Sequence, residues 1–330
     1  MILVTGGAGY IGSHIVKGLL EKNYIVLVLD NFSTGFIEPL QIMTKNFNGL
    51  SYVNCDLADT KKLKEIFLKN EIEAVIHLAA KIDVTESLKK PDLYVKENFL
   101  NSINLVEAMT EAGVNKLIFS STAAVYGNPV YTPIDENHPV LPLNHYGQTK
   151  LDFEKYLGKC QNLKYVIFRY FNVGGSAMDG NLGKSHLNSQ DLIENIIKTS
   201  LGQQEYLEVF GSDYDTSDGM AIRDFVHVED IASAHILALE KINECQGEVF
   251  NLGSEKGFSV KEIIAMSEEV TGENLNIKYL PRREGDISVS IASAKKVKSR
   301  LGWEMKNSTL SSIITSDWHW RKDHPEGYKN

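Results

Sequence analysis

Along the first half of the chain, short apolar runs alternate with helical periodicities. Ile2 to Thr5 has strand character and stops at a cluster of glycines, after which a helical pattern runs through Ile15, Leu19 and Leu20. A second apolar strand, Ile25 to Leu29, ends on Asp30, and a third, Ser51 to Asn54, leads into Cys55, Asp56 and Leu57. Asn31 to Gly49 reads as a loop with some helix. Helix is predicted over Lys61 to Lys69, strand at Ala74 to Leu78, a long helix from about Pro91 to Ala112, and strands at Lys116 to Ser120 and Tyr165 to Tyr170. A proline-bearing loop, Pro129 to Pro142, leads to a helix that carries Tyr146 and Lys150. Parallel neighbours need crossover connections, so this alternation predicts an α/β fold on a Rossmann-type, doubly wound parallel sheet. Ligands of such sheets bind at the carboxyl ends of the strands.

Beyond Asn172 the pattern is less regular, and Gly174 to Asn188 is rich in Gly, Ser and Asn. We read this stretch as a boundary. Helices are predicted near Gln190 to Leu201, Glu229 to Lys241, Val260 to Thr271 and Ala294 to Leu301, with strands at Leu207 to Phe210, Val249 to Leu252 and Leu275 to Leu280. Trp303, Trp318 and Trp320 read as packing.

The first strand and helix are joined by Gly6-Gly-Ala-Gly9-Tyr-Ile-Gly12, a G-x-x-G-x-x-G spacing. Such a turn lets backbone approach a pyrophosphate and leaves a helix N-terminus free to bind it. Three glycines alone would suit many loops. Strand, turn, helix, strand and Asp30 together indicate a dinucleotide site, with Asp30 placed to hold the ribose 2′-hydroxyl and to repel a 2′-phosphate, which favours NAD over NADP. After the third strand, Asp56 and Leu57 are candidates to lie against the adenine, while Asp56 reads equally well as a helix cap. After the fourth, Ala79-Ala80-Lys81 offers small side chains beside the phosphates.

Tyr146 and Lys150, four residues apart, share one helix face. The ammonium is expected to favour the phenolate and lower a tyrosine pKa that is otherwise about 10. Spacing alone also fits a solvated helix face. A net charge of -9 argues against nucleic acid or an anionic membrane as the main partner. No apolar run approaches the ~20 residues of a membrane span, and the first residues leave no room for a signal peptide. Cys55, Cys160 and Cys245 are scattered and the histidines form no ligand pair, so a cytoplasmic, metal-free protein is expected.

TGGAGYIG at the start, FSSTAAVYG at 119–127, YGQTK at 146–150 and RYFN at 169–172 resemble the extended short-chain dehydrogenase/reductase family. RDFVHVED at 223–230, PRREGD at 281–286 and WHW at 318–320 narrow the resemblance to its UDP-galactose (UDP-glucose) 4-epimerases. The resemblance implies that Tyr146 is the catalytic base, Lys150 its partner and a holder of the nicotinamide ribose, and Thr122 the hydroxyl that bonds the reacting sugar oxygen. It places Gly6, Gly9, Tyr10, Ile11, Gly12, Asp30, Asn31, Asn98 and Tyr170 at the cofactor. Asn172, Phe210, Arg223, Arg283, Asp286 and Ser290 fall to the UDP-sugar. It further implies an NAD-binding domain over 1–172 and a UDP-sugar domain over 173–330, with about 223–250 returning to the first. A homodimer through the helices near Pro91 to Ala112 and Gln148 to Cys160 is implied by the same likeness.

Two departures and one absence refine this. Relatives place a lysine where this chain has Ile82; Lys81 stands one position earlier. At Ser290 some relatives carry a bulky tyrosine, whereas a small residue goes with acceptance of N-acetylated sugars. A 4,6-dehydratase needs an acid and base after Thr122, where this chain has Ala123-Ala124. The same fold would also suit a pentose or uronate 4-epimerase, a decarboxylase or a non-catalytic NAD sensor, although a sensor has no need of Tyr146 and Lys150. Without the resemblance, Arg282, Arg283, Glu284 and Asp286 read equally well as surface charges that pair with one another.

Overall fold

The computed structural model describes residues 1–185, 191–283 and 285–329. Strands β1 (Ile2–Thr5), β2 (Val26–Asp30) and β3 (Leu50–Asn54) alternate with helices α1 (Tyr10–Glu21), α2 (Glu38–Asn46) and α3 (Thr60–Lys69). α2 is the helix expected within Asn31 to Gly49. β4 (Ala74–His77) is followed by α4 (Val84–Lys89). The single long helix expected next is present but irregular: α5 (Pro91–Tyr94) passes into a π-helical turn, Val95–Leu100, before α6 (Asn101–Glu111). Apolar periodicity cannot report that turn, because the stretches on either side of it read as ordinary helix. β5 (Lys116–Thr122), α7 (His145–Leu157), β6 (Lys164–Tyr170) and β7 (Asn172–Gly174) complete the first part.

The remainder runs α8 (Leu192–Ser200), β8 (Leu207–Phe210), β9 (Ile222–His227), α9 (Val228–Glu240), β10 (Glu248–Leu252), β11 (Gly257–Ser259), α10 (Val260–Thr271), β12 (Ile277–Leu280), β13 (Val289–Ser290), α11 (Lys295–Leu301) and α12 (Leu310–Asp323). Gln190, the expected start of α8, and the end of the Gly174 to Asn188 stretch lie outside the described residues. β7, β11 and β13 are too short for a two-residue period to be read, and in β9 Arg223 and Asp224 interrupt the apolar run. α12 escaped because its inner side carries Ser316, Asp317 and Arg321, all buried, so no clean apolar stripe marks it.

Seven parallel strands form the main sheet in the order β10-β6-β5-β4-β1-β2-β3. β1, β2 and β4 are buried along their whole length, which is why their runs show no polar alternation. One face packs Ile15, Leu19 and Ile236 from α1 and α9; the other packs Leu63, Phe67, Leu105, Met109 and Phe153 from α3, α6 and α7. Gly18 lets α9 settle on α1, since a Cβ there would stand 2.9 Å from Ile236. α9 and β10 thus join the main layer, whereas β9 belongs to a second sheet with β7, β11 and β13. β8 and β12 form a separate parallel pair. Trp303 and Trp320 are fully buried and Trp318 nearly so, in keeping with packing. Among the described residues no helix is long and apolar enough to cross a membrane.

The direction of winding reverses between β1 and β4. The crevice at their carboxyl ends is where a ligand belongs on such a sheet.

Candidate active site

The chain leaves β1 through Gly6 at φ +72°, a state that costs glycine nothing. A Cβ at Gly6 would stand 2.7 Å from the Ala79 backbone nitrogen, and one at Gly12 2.2 Å from the Gly6 carbonyl oxygen. α1, which opens with Tyr10 and Ile11 after Gly9, has no capping side chain and no acid in its first turn. Its first N–H groups and the positive end of its dipole are left for an anion, which fits a dinucleotide pyrophosphate.

Asp30 is tied to this turn. Its Oδ2 accepts the Ala8 N–H at 3.0 Å and its Oδ1 the Phe32 N–H at 2.8 Å. Burial raises its pKa while these donors pull it back. Asn31 donates to Asp56 Oδ2 at 2.7 Å, and Asp56 Oδ1 accepts the Ala58 N–H at 2.8 Å. Asp56 therefore braces a turn and links the ends of β2 and β3, and it is not the helix cap, because Asp59 caps α3 by accepting the Lys62 N–H. Leu57, just beyond, is buried.

Asn98, buried in the π turn, spends its amide on backbone. Its Oδ1 accepts the Lys81 N–H at 2.8 Å and its Nδ2 donates to the Lys81 carbonyl at 2.9 Å. It fixes the Ala79-Ala80-Lys81 segment, and Ile82 beyond it is 59% exposed. His77 supports the same corner through Thr5 at 2.7 Å and Ser102 at 2.8 Å, and Ser102 donates to the Asn98 carbonyl. Burial, with Lys150 nearby, drives the His77 pKa down to about 3, so the ring is a neutral bridge.

Thr122 ends β5. Asn144 caps α7 by accepting the Gly147 N–H at 2.8 Å, and a Cβ at Gly147 would lie 2.7 Å from the Ala124 carbonyl oxygen. Small residues on both sides of that contact bring the start of α7 onto β5. They bring the Tyr146 phenol beside the Thr122 hydroxyl, close enough for that hydroxyl to act on its pKa. Lys150 Nζ donates to the Ser120 carbonyl at 2.9 Å and lies 4.8 Å from the Phe119 ring centroid. The expectation that Lys150 lowers the Tyr146 pKa does not hold for the protein by itself. Burial raises the phenol, and the opposing pull comes from Thr122. Burial also pushes Lys150 down to about 7, against the influence of Glu154. The Tyr170 hydroxyl is 2.6 Å from both Ser120 Oγ and His235 Nε2.

Under this edge lies a buried ion pair that sequence reasoning missed. Arg169 donates to Glu154 through Nε at 3.1 Å and Nη2 at 2.6 Å, and through Nη1 to the Tyr126 hydroxyl at 3.0 Å. Ser121 donates to the same carboxylate. Burial opposes the Arg169 charge, but its bonds to Glu154 outweigh that and raise its pKa. Glu154 lies one helical turn beyond Lys150, so its shared face was legible; its partner on β6 was not.

The other candidates gather on the small sheets. β6 runs almost directly into β7, so Asn172 follows Tyr170 by two residues and pairs with Phe225 on β9. Arg223 on β9 stands opposite Ser290 of β13, and Ser290 is buried. Parallel pairing of Phe210 with Leu280 brings the residues after β12 to the end of β8. There the Arg283 guanidinium lies 4.7 Å from the Phe210 ring centroid and pairs with Asp286 at 3.0 Å. Arg282 pairs instead with Asp213 at 2.7 Å and covers Tyr214 at 4.2 Å. Surface pairing is thus real for these arginines; Glu284 lies outside the described residues. Tyr214, also missed, holds a buried hydroxyl with no hydrogen-bond partner among the described residues, and Asp286, Arg223, Arg282 and Arg283 are the charges around it. Asp224 anchors this region by accepting N–H groups of Ser254, Glu255 and Ala292.

The model of the NAD dependent epimerase/dehydratase family matches residues 2–253. Over 331 residues the chain is 44% identical to the UDP-glucose 4-epimerase of Halalkalibacterium halodurans, covering 99% of this chain and 97% of that one. The UDP-glucose 4-epimerase of Bifidobacterium longum, solved with NAD+ and UDP, matches with a TM-score of 0.95 at 34% identity, over 99% of each chain. The UDP-Glc/GlcNAc 4-epimerase of Campylobacter jejuni matches at 0.85 and 40% identity, over 98% of this chain and 99% of that one. With its sheet, glycine turn and Tyr146-Lys150 pair already in place, the chain belongs to the NAD dependent epimerase/dehydratase family.

Proposed function

We propose that this protein catalyses NAD-dependent 4-epimerisation of UDP-hexoses, interconverting UDP-glucose and UDP-galactose through a transient 4-keto sugar. The reading rests on one observation above the others: the Thr122 hydroxyl and Tyr146 phenol meet at the carboxyl edge of the sheet, in a chain similar along its length to UDP-glucose 4-epimerases. NAD, when bound, supplies a hydride acceptor that later returns the hydride, together with a positively charged nicotinamide ring.

The turn from Gly6 to Gly12 holds the pyrophosphate, Asp30 and Asn31 the adenosine ribose, and Asp56 and Leu57 flank the adenine. Ala79, Ala80 and Lys81, braced by Asn98, line the phosphates; Lys150 holds the second ribose and Tyr170 packs nearby. Tyr146 takes the proton from the sugar 4′-hydroxyl and returns it to the same oxygen after the ketone has turned its other face to the site. Thr122 bonds that oxygen in both orientations. Arg223, Arg283 and Asn172 keep the diphosphate in place while the sugar turns, and Asp286 and Phe210 hold the uridine. This divides the labour between an NAD-binding part, 1–172, and a UDP-sugar part, 173–330; of the stretch expected to return to the first, about 223–250, α9 and β10 do so and β9 stays with the second sheet.

Mixing the purified protein with UDP-galactose and following UDP-glucose by NMR, with heat-released cofactor identified alongside, tests the reading. Conversion is expected; bound NAD without conversion would instead indicate a sensor.

Ser290 supports a second activity, on UDP-GlcNAc and UDP-GalNAc. It is small, buried and opposite Arg223, so little bulk stands there against an N-acetyl group. Ser290→Tyr is expected to abolish N-acetyl turnover and spare UDP-galactose; wild-type protein inert toward UDP-GlcNAc would refute the assignment.

We also read the chain as a cytoplasmic homodimer. Leu88, Val95 and Leu100 along α4 to α6 are 40–49% exposed and offer an apolar face to a second copy, which sedimentation can check.

A further inference from the structure

The end of the chain reaches back to the glycine turn. After α12 it reverses through Gly327, at φ +70°, and inserts Tyr328 between two other rings. The Tyr328 ring centroid is 5.0 Å from that of Trp320 and 5.8 Å from that of Phe36. These three buried residues form a small cluster of their own, apart from the large cores. Polar ties surround it. The Tyr328 hydroxyl accepts the Gly183 N–H at 2.9 Å, its own N–H donates to Ser185 Oγ at 3.1 Å, and the Lys329 N–H donates to Glu38 Oε2 at 2.9 Å.

Phe36 is the link to the cofactor turn. Its N–H donates to the Ala8 carbonyl at 3.1 Å, and neighbouring Gly35 lies so close that a Cβ would stand 2.9 Å from the Ala8 carbonyl carbon. A narrow pocket over this turn has Gly9, Tyr10 and Phe36 on one side and Gly183, Ser185 and Tyr328 on the other. The loop after Asp30 can lift from the turn only if Phe36 leaves Tyr328. A satellite cluster of this size opens locally at far lower cost than the main core.

We propose that the C-terminal segment, through Tyr328, is a strap that closes the dinucleotide end of the site and sets how slowly the cofactor leaves. The proposal rests on the NAD reading of the glycine turn. It deepens that reading by adding a positioning residue far along the chain from every nucleotide-site motif. The strap acts on departure, so its signature is a dissociation rate.

The test is exchange of bound NAD for excess labelled NAD in wild type, Tyr328→Ala, Tyr328→Phe and a chain ending at His324. Circular dichroism and thermal melts confirm that each variant folds. Exchange is expected to be about tenfold faster in Tyr328→Ala and the shortened chain, and about two- to threefold faster in Tyr328→Phe, which keeps the ring and loses the hydroxyl. A folded Tyr328→Ala that exchanges at the wild-type rate overturns the strap. Should that variant not fold, Tyr328→Phe decides in the same way. Wild-type protein that releases no NAD on heating and takes up none when stripped would sink the cofactor reading itself, a result distinct from unchanged exchange.

Discussion

Two sets of opposite charges lie at the two ends of the proposed site, and they are built in opposite ways. Glu154 and Arg169, beneath Tyr146 and Lys150, are 6% and 7% exposed and bonded to Ser121 and Tyr126 as well as to each other. Arg282 and Asp213 are 43% and 76% exposed, and Arg283 and Asp286 are 40% and 21%. The first pair is dry and its hydrogen bonds are satisfied, so it holds three elements in one geometry. The second can exchange partners with little loss, because water already screens it. A catalytic edge needs the first kind of construction, and a carrier-group site that must accept and release a diphosphate needs the second.

The comparison can be broken at several points. At the dry end, Tyr146→Phe removes the proton-transfer group without disturbing the sheet, and turnover should fall about 10²–10⁴-fold while NAD and UDP-sugar binding persist. Steady-state rates beside calorimetric titrations check this; retained turnover would remove Tyr146 from the mechanism. Next in size, Glu154→Gln strands the Arg169 charge in the interior and should cost about 3–5 kcal/mol in urea denaturation. Asp213→Asn, on the exposed pair, should leave the urea midpoint unmoved. Equal effects from the two would erase the distinction. At the wet end, Arg283→Ala should weaken UDP binding about 10–100-fold with no change in the unfolding midpoint.

A further effect concerns pH. The folded pKa of Lys150 is lowered to about 7, below the unfolded value of about 10.4. Between the two the unfolded chain binds the extra proton, so this group makes stability rise as pH climbs from about 7 to about 10, and its full penalty stands below about 7. Lys150→Met should flatten that rise. Urea midpoints measured across the window would show it, and an unchanged slope would mean that the lysine is not desolvated.

β1, β2 and β4 were legible because burial on both faces makes each a continuous apolar run, whereas β3 at the sheet edge has no buried residue and was read from its place in the alternation. The glycine turn and Asp30 were legible because a fixed count of residues places them. Glu154 was visible as a position on the Lys150 face, yet its importance depends on Arg169 arriving from a different strand. Asn98 was placed near the cofactor by resemblance, but its grip on the Lys81 backbone depends on a π turn that leaves no periodic trace. α12 was missed because its buried face is polar and satisfied by partners far away in sequence.

By itself the sequence determined the strand-helix alternation, the dinucleotide turn and the Tyr146-Lys150 pair, all set by local sterics and by the periods of helix and strand. Only the tertiary structure decided the electrostatics. The phenol rises instead of falling, the lysine falls to about 7, and the Tyr328 hydroxyl accepts the Gly183 N–H from far along the chain. Burial and hydrogen bonding depend on what the rest of the chain brings to each group, and spacing along one segment carries no record of that.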